Sequence, residues 1–251
     1  MKYSIVIPTY NNCDKFLKPC LEALFRYSHL KDIELIISAN GCTDNTKEFL
    51  DELRENFDYL RLTKHLKVVW HPDALGYARA TNAGIREATC DKLVMLNNDA
   101  ILLAQHKGDW LRMLDSAFET NPNCGISCSL KKYSPITKMD FGVFFCVMFT
   151  REVLNKVGYL DERYEKGGNE DIDFCAAAQL LGYEVVQPIP LVWNEEARTH
   201  VGIFPLWHQG EGTVHNPELV SDWEPTFRRN ELRLAQKYNN IEWYEAHKHT
   251  V

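Results

Sequence analysis

The first 120 residues alternate short apolar runs with amphipathic stretches of helical period, a rhythm that few folds can accommodate. It predicts strands over 3–8, 33–38, 67–70 and 92–97, and helices over about 14–28, 44–57, 75–88 and 108–120. Each strand–helix–strand unit is a crossover, so the strands run parallel and their C-terminal ends share one edge. Ile5–Val6–Ile7 and Leu93–Val94–Met95–Leu96 are apolar at consecutive positions, as strands covered on both faces require. The expected class is α/β, with a mostly parallel central sheet flanked by helices.

Beyond residue 124 the rhythm loosens into Gly-punctuated apolar segments at 125–130 and 142–149, helices near 151–157 and 171–181, and a strand over 183–187. Residues 188–220 carry Pro, Trp, His and Gly with little periodicity, which predicts a functional loop region, and 222–238 reads as a closing helix. The 251 residues suffice for one large domain. A net charge of −7 without a Lys/Arg block argues against nucleic acid or an anionic membrane as partner. The N-terminus enters a strand at once, and no apolar run reaches about 18 residues, so a soluble, cytoplasmic protein without signal peptide or transmembrane segment is expected. The eight cysteines show no paired C-x2-C spacing and are expected to be reduced, buried apolar residues.

Polar residues gather where the strands end. The fourth strand delivers Asn97–Asn98–Asp99, oxygen donors at the sheet's mouth, where open α/β folds bind ligands. Such donors suit Mg2+ or Mn2+, which bridge one or two protein carboxylates to phosphate oxygens. The first strand ends in Pro8–Thr9–Tyr10–Asn11, the second in Ala39–Asn40–Gly41 before Thr43 and Asp44. These residues also suit helix capping, but three such ends on one edge make a pocket. Arg79, on the helix after the third strand, is the candidate diphosphate partner. Glu170–Asp171 open a helix whose dipole favours ionised carboxylates, so Asp171 is expected to have a lowered pKa and to accept a proton at neutral pH. His208, in a Gly-rich segment, could complete a metal site with Asn97 and Asp99.

Taken in order, IVIPTYNN, NGCTDNT, GYARATNAGI, LVMLNNDAIL, the E-D-x-D segment around Asn169–Glu170–Asp171–Ile172–Asp173 and HQGEGT resemble the family 2 glycosyltransferases with the GT-A fold. The likeness runs through roughly residues 3–215. It implies transfer of a sugar from a nucleoside diphosphate donor (UDP, dTDP or GDP) to a hydroxyl of a glycan or glycoconjugate, with inversion and with a divalent metal, Mn2+ or Mg2+. Residues 1–100 would then hold the nucleotide sugar, 101–220 the acceptor and the catalytic groups, and 221–251 a closing helix and tail, all in one domain. Pro8, Thr9, Tyr10, Asn11, Asn40, Arg79 and Asn98 would line the donor pocket, and Asp99, Asn97 and His208 would bind the metal. Asp171 would be the general base, and Glu170 would orient the acceptor. Two positions depart from the family pattern. Asn97 stands at the first carboxylate of D-x-D, and Ala39 stands where an acidic residue often precedes the N-G turn, leaving Asn40 to read the base. Phe141, Tyr164, Trp193, Phe204 and Trp207 offer aromatic faces for sugar rings, and Gly202, Gly210 and Gly212 would let 188–215 close over the donor. Two other readings are a catalytically silent glycan- or nucleotide-binding protein and a nucleotidyltransferase, whose Gly-rich first loop is missing. Neither G-x-G-x-x-G nor a P-loop follows a strand, which leaves dehydrogenases and P-loop enzymes without support.

Overall fold

A computed structural model describes residues 1–189, 204–210 and 222–248 in full, and the backbone of 191–194 and 199–202. Among these residues seven strands form one sheet. Four of them, β1 (Tyr3–Thr9), β2 (Ile33–Asn40), β3 (Leu66–His71) and β4 (Lys92–Leu96), are the expected parallel set, in spatial order β3-β2-β1-β4. The sheet then continues through three further strands, β6 (Cys124–Cys128), β9 (Cys146–Thr150) and β10 (Glu184–Val186), with β9 between β4 and β6 and antiparallel to both. β6 and β10 return to a parallel pair at the edge.

Side chains alternate between the faces of these strands, and both faces are dry. Ile5, Ile7, Leu35, Ile37, Val94 and Leu96 pack with α1 (Lys18–Tyr27), α2 (Thr46–Tyr59) and α4 (Asp109–Thr120), through Leu21, Leu50 and Trp110 among others. Val6, Ile36, Leu93 and Met95 pack with α3 (Tyr77–Glu87), α5 (Arg151–Val157) and α6 (Glu170–Leu180), through Ile85, Val153 and Phe174. The result is a three-layer sandwich. α3 lies close because Gly84 has no side chain: a Cβ there would stand 2.4 Å from Val6 Cγ1. The helix predicted over 14–28 divides into a π-helical turn, Cys13–Leu17, and α1, with Pro19 at the start of the α-helix, where its missing N–H is tolerated.

Three pairings were not visible as strand patterns. β5 (Ala100–Leu102) pairs with β13 (Leu206–His208), β7 (Lys131–Ser134) with β8 (Met139–Gly142), and β11 (Leu191–Asn194) with β12 (Thr199–Gly202), all antiparallel. A C-terminal pair, α7 (Trp223–Lys237) and α8 (Ile241–His247), follows. α7 packs Leu234 and Ala235 with Tyr164 and Ile136. No described helix is long and apolar enough to cross a membrane. All eight cysteines carry free thiols, seven of them buried.

The N-terminal ends of the sheet hold a buried carboxyl. Glu34, 1% exposed, accepts from Ser4 Oγ at 2.6 Å and from the backbone N–H of Thr89 at 2.8 Å, and pairs with Lys67 Nζ at 2.7 Å. Burial alone would raise its pKa, but Lys67, Ser4 and Thr89 outweigh burial and hold it below the ordinary glutamate value.

Candidate active site

The C-terminal ends of β1, β2 and β4 open into a cavity of about 700 Å3. One wall is the sheet's mouth, with Pro8, Thr9, Tyr10, Asn40, Asn97, Asn98 and Asp99. The other is built by Lys132, Phe141, Gly167–Ile172 and, from α7, Trp223 and Phe227. Asp99 and Asp171, 72 residues apart in the chain, therefore face one cleft.

The mouth is braced internally. Asn98 Nδ2 donates to Thr9 Oγ1 at 2.8 Å and Asn40 Nδ2 to Thr9 O at 2.9 Å, while Asn40 Oδ1 accepts from the backbone N–H of Leu75 at 3.0 Å. Both ends of the Asn40 amide thus hold backbone, so Asn40 shapes the pocket wall by fixing two loops. Asn11 does not line the cavity. Its backbone is left-handed (φ 52°), and its Oδ1 accepts from the N–H groups of Thr43 (2.7 Å) and Asp44 (3.3 Å). Asp44 in turn accepts from Thr46 N–H at the start of α2 and from Cys13 N–H, while the residues at the two N-cap positions, Asn45 and Asn12, make no side-chain cap hydrogen bond.

Asp99 sits at the edge of β5, and the pairing of β5 with β13 sets His208 opposite Ala100. The backbone N–H of Gln209 donates to Asp99 O at 3.3 Å, and His208 Nε2 lies 3.2 Å from Asp99 Oδ1. Both side chains are 8% exposed. The imidazole is stacked on Phe145, with centroids 4.1 Å apart and planes 13° from parallel, which fixes its orientation. One carboxylate and one imidazole at a cavity wall fit a divalent cation that takes its remaining ligands from phosphate and water. Among the described residues no group of three or more His, Cys, Asp or Glu side chains could hold an ion without such help. Asn97 also lines the cavity, and its Oδ1 lies 3.1 Å from the Tyr77 hydroxyl, which stands equally close to Phe144 O.

Arg79 is not at the cavity. It lies 3.9 Å from Glu162 with its side chain 57% exposed. Tyr77 lines the cavity, and two residues further along a helix is about 200° around its axis, so Arg79 points to the opposite side. The cations lining the cavity are Lys132 from β7 and Lys166, the latter ion-paired with Asp222.

α6 begins after four consecutive residues with positive φ, Lys166 (φ 58°), Gly167 (φ 121°), Gly168 (φ 93°) and Asn169 (φ 74°), which turn the first helical residues into the cleft. Gly168 is required twice over, because a Cβ there would also stand 2.9 Å from the Phe227 ring. Asn230 of α7 donates to Glu165 O and Gly167 O, both at 3.0 Å, and so pins this loop. Asp171 Oδ1 accepts from Ile172 N–H at 2.8 Å. The helix start was expected to lower the Asp171 pKa. Burial reverses that: it pushes Asp171 above the ordinary carboxylate range despite backbone N–H donors and the Lys132 charge. Burial and then the Asp171 charge push Glu170 up further. Asp173, the last acid of the segment, faces away and ties α6 to α7 through Lys237 Nζ (2.7 Å) and the Tyr238 hydroxyl (2.9 Å).

Of the aromatic candidates, Phe141 lines the cavity. Phe204 and Tyr164 are core residues, Trp207 is half-buried on β13 away from the cavity lining, and the Trp193 side chain lies outside the described residues. So do Gly212 and most of 188–215 as side chains, including the proposed closing segment. Trp223 and Phe227, with ring centroids 5.5 Å apart, were missed. Their i, i+4 spacing at the start of a predicted helix was the available signal.

Residues 4–140 match the model of glycosyl transferase family 2. The chain belongs to this family. The match ends before α6, so Glu170 and Asp171 lie beyond it. The poly-β-1,6-N-acetyl-D-glucosamine synthase of Staphylococcus epidermidis is 25% identical over 233 residues, 80% of this family 2 chain and 52% of that protein. The validoxylamine A glucosyltransferase of Streptomyces hygroscopicus subsp. limoneus is 36% identical over 116 residues, 42% of this chain and 24% of that one. The chain thus spans about half, or less, of these relatives' length. Among solved structures, a Pyrobaculum calidifontis mannosyltransferase in complex with GDP-Man and Mn2+ aligns with TM-score 0.61 at 20% identity, over 74% of this chain and 54% of that one. S. aureus TarS 1-349 in complex with UDP aligns with TM-score 0.58 at 13% identity, over 99% and 74%. These likenesses show the GT-A fold.

Proposed function

We propose that this family 2 glycosyltransferase moves a sugar from a nucleoside diphosphate donor to a hydroxyl of a glycan or glycoconjugate by a single inverting displacement. The observation that carries the reading is that the Asp99–His208 pair and the Asp171 carboxyl line one and the same cavity. Thr9, Tyr10 and the braced Asn40–Asn98 edge would hold the nucleotide, with UDP, dTDP and GDP as candidate donors. The GDP-Man and UDP complexes of the two structural neighbours support a nucleotide there. Asp99 and His208 would hold the cation, and the imidazole favours Mn2+ over Mg2+. When bound, the cation supplies charge neutralisation to the departing diphosphate.

Asp171 would take the proton of the attacking hydroxyl. A base with a raised pKa binds that proton better, and acid–base catalysis of this kind contributes about 10²–10⁴-fold. Activity should then rise with pH through a midpoint above the ordinary carboxylate range, because the unprotonated form works and burial raises the pKa. Lys132 and Phe141, from the paired β7 and β8, would face the acceptor. The test is release of nucleoside diphosphate from a panel of UDP-, GDP- and dTDP-sugars with Mn2+. Release stopped by EDTA supports the reading, and a panel with no turnover removes it.

A further inference from the structure

The cavity contains a second carboxyl that proton abstraction does not use. Glu170 is 6% exposed and lines the cleft. Backbone N–H groups of Gly168 and Glu170 donate to this carboxyl, while Oε2 has no hydrogen-bond partner among the described residues. An ionised oxygen in that position would be stripped of water with no donor in exchange, a costly arrangement. A protonated one can wait there for an acceptor. Among the described residues the charged and titratable groups around it are these. Asp171 follows it on α6, Tyr77 faces it from α3, and Lys132 and Lys166 flank the same cleft, Lys166 being paired with Asp222. Asp99 and His208 line the same cavity, and α7 contributes the uncharged Trp223 and Phe227 to its lining.

We propose that Glu170 works as a neutral carboxylic acid whose Oε2–H donates a hydrogen bond to an oxygen of the bound acceptor, next to the hydroxyl that Asp171 deprotonates. Consecutive carboxyls opening into one cleft then have opposite duties, one giving a hydrogen bond and the other taking a proton. The acceptor that uses both offers two neighbouring oxygens, as a sugar ring or an open polyol does. The pKa of Glu170, raised by burial and by the Asp171 charge, agrees with this division. The proposal rests on the transferase reading above.

Two experiments on the full chain test it. Carbon-13 NMR of the glutamate and aspartate carboxyls, assigned by difference from Glu170→Gln and Asp171→Asn, should show Glu170 titrating above Asp171 and still protonated at pH 7. Turnover of UDP-glucose, UDP-N-acetylglucosamine, GDP-mannose and dTDP-rhamnose is then measured with Mn2+ and glycerol as a vicinal diol. Glu170→Gln, which keeps a donor, should turn over at least about tenfold faster than Glu170→Ala, a loss typical of one buried hydrogen bond to substrate. The wild-type profile should fall at alkaline pH, and Glu170→Gln should lack that fall, which a purely structural side chain would not cause. An active enzyme whose Glu170 is ionised at pH 7, or whose Gln and Ala variants are equally impaired, overturns this proposal alone. A wild type that turns over no donor overturns the transferase reading and this proposal with it.

Discussion

The two walls of the cavity are built by different means. The sheet-mouth wall comes from strand ends close in space and similar in plan, locked by short side-chain hydrogen bonds among Thr9, Asn40 and Asn98. The rest of the lining comes from one hairpin, one left-handed loop, a helix start and a C-terminal helix, brought together by single long-range ties such as Asn230 to Gly167 O and Lys237 to Asp173. A wall made of parallel strand ends is prescribed by the βα pattern itself. A wall made of such pieces can vary without disturbing the sheet, which suits the side that meets the acceptor. In this account the first wall binds and the second selects and reacts.

That division can be broken by substitution, beginning with the largest expected effect. Asp171→Asn should lower turnover about 10²–10⁴-fold with donor KM near wild type, read by steady-state kinetics. A matched rise in donor KM would place Asp171 on the binding side and dissolve the contrast. Asp99→Ala, which removes the carboxylate from the candidate cation site, should weaken nucleotide binding in the presence of Mn2+ by about 2 kcal/mol or more, some 30-fold, in calorimetry. Beneath the sheet, Glu34→Ala should cost about 2 kcal/mol in urea unfolding, since Lys67 remains partly hydrated while Ser4 and Thr89 lose their acceptor. Because the folded-state pKa of Glu34 is lowered, its contribution is full above the unfolded value of about 4.3 and fades as pH falls through the folded value. The wild type should lose more stability than Glu34→Ala over that acid range, and equal slopes would contradict the assignment. Smallest of all, Arg79→Ala should change stability by no more than about 0.5 kcal/mol and leave turnover near wild type, because its ion pair with Glu162 is exposed. A large kinetic defect would return Arg79 to the donor site.

The sequence made the first wall legible because periodicity reports local structure, and four strand ends in a parallel sheet can share only one edge. Pro8, Thr9, Asn98 and Asp99 could be placed at the cavity on that basis. Arg79 could not, because which face of α3 turns to the cavity depends on how α3 sits on the sheet, with its Gly84 against Val6. His208 was a candidate from its Gly-rich segment and from the ligand that Asn97 and Asp99 left unfilled. Its position beside Asp99 depends on a three-residue pairing of β5 with β13, too short to leave a strand pattern. Asp171 was legible as a helix-start carboxylate, but its desolvation in the cleft was not, and desolvation decides the direction of its pKa. Trp223 and Phe227 carried a helical spacing with nothing to say what they would cover.

The central claim is that Asp99 and His208 grip a cation and diphosphate, while Asp171 in the same cavity acts on the acceptor alone. Electron paramagnetic resonance of Mn2+ titrated into the full chain, with and without UDP, GDP or dTDP, tests it directly. One of the nucleotides should tighten Mn2+ binding to the wild type and to Asp171→Asn, and none should do so with Asp99→Ala. Mn2+ uptake that ignores every nucleotide, or that Asp171→Asn abolishes while Asp99→Ala retains it, would contradict the account.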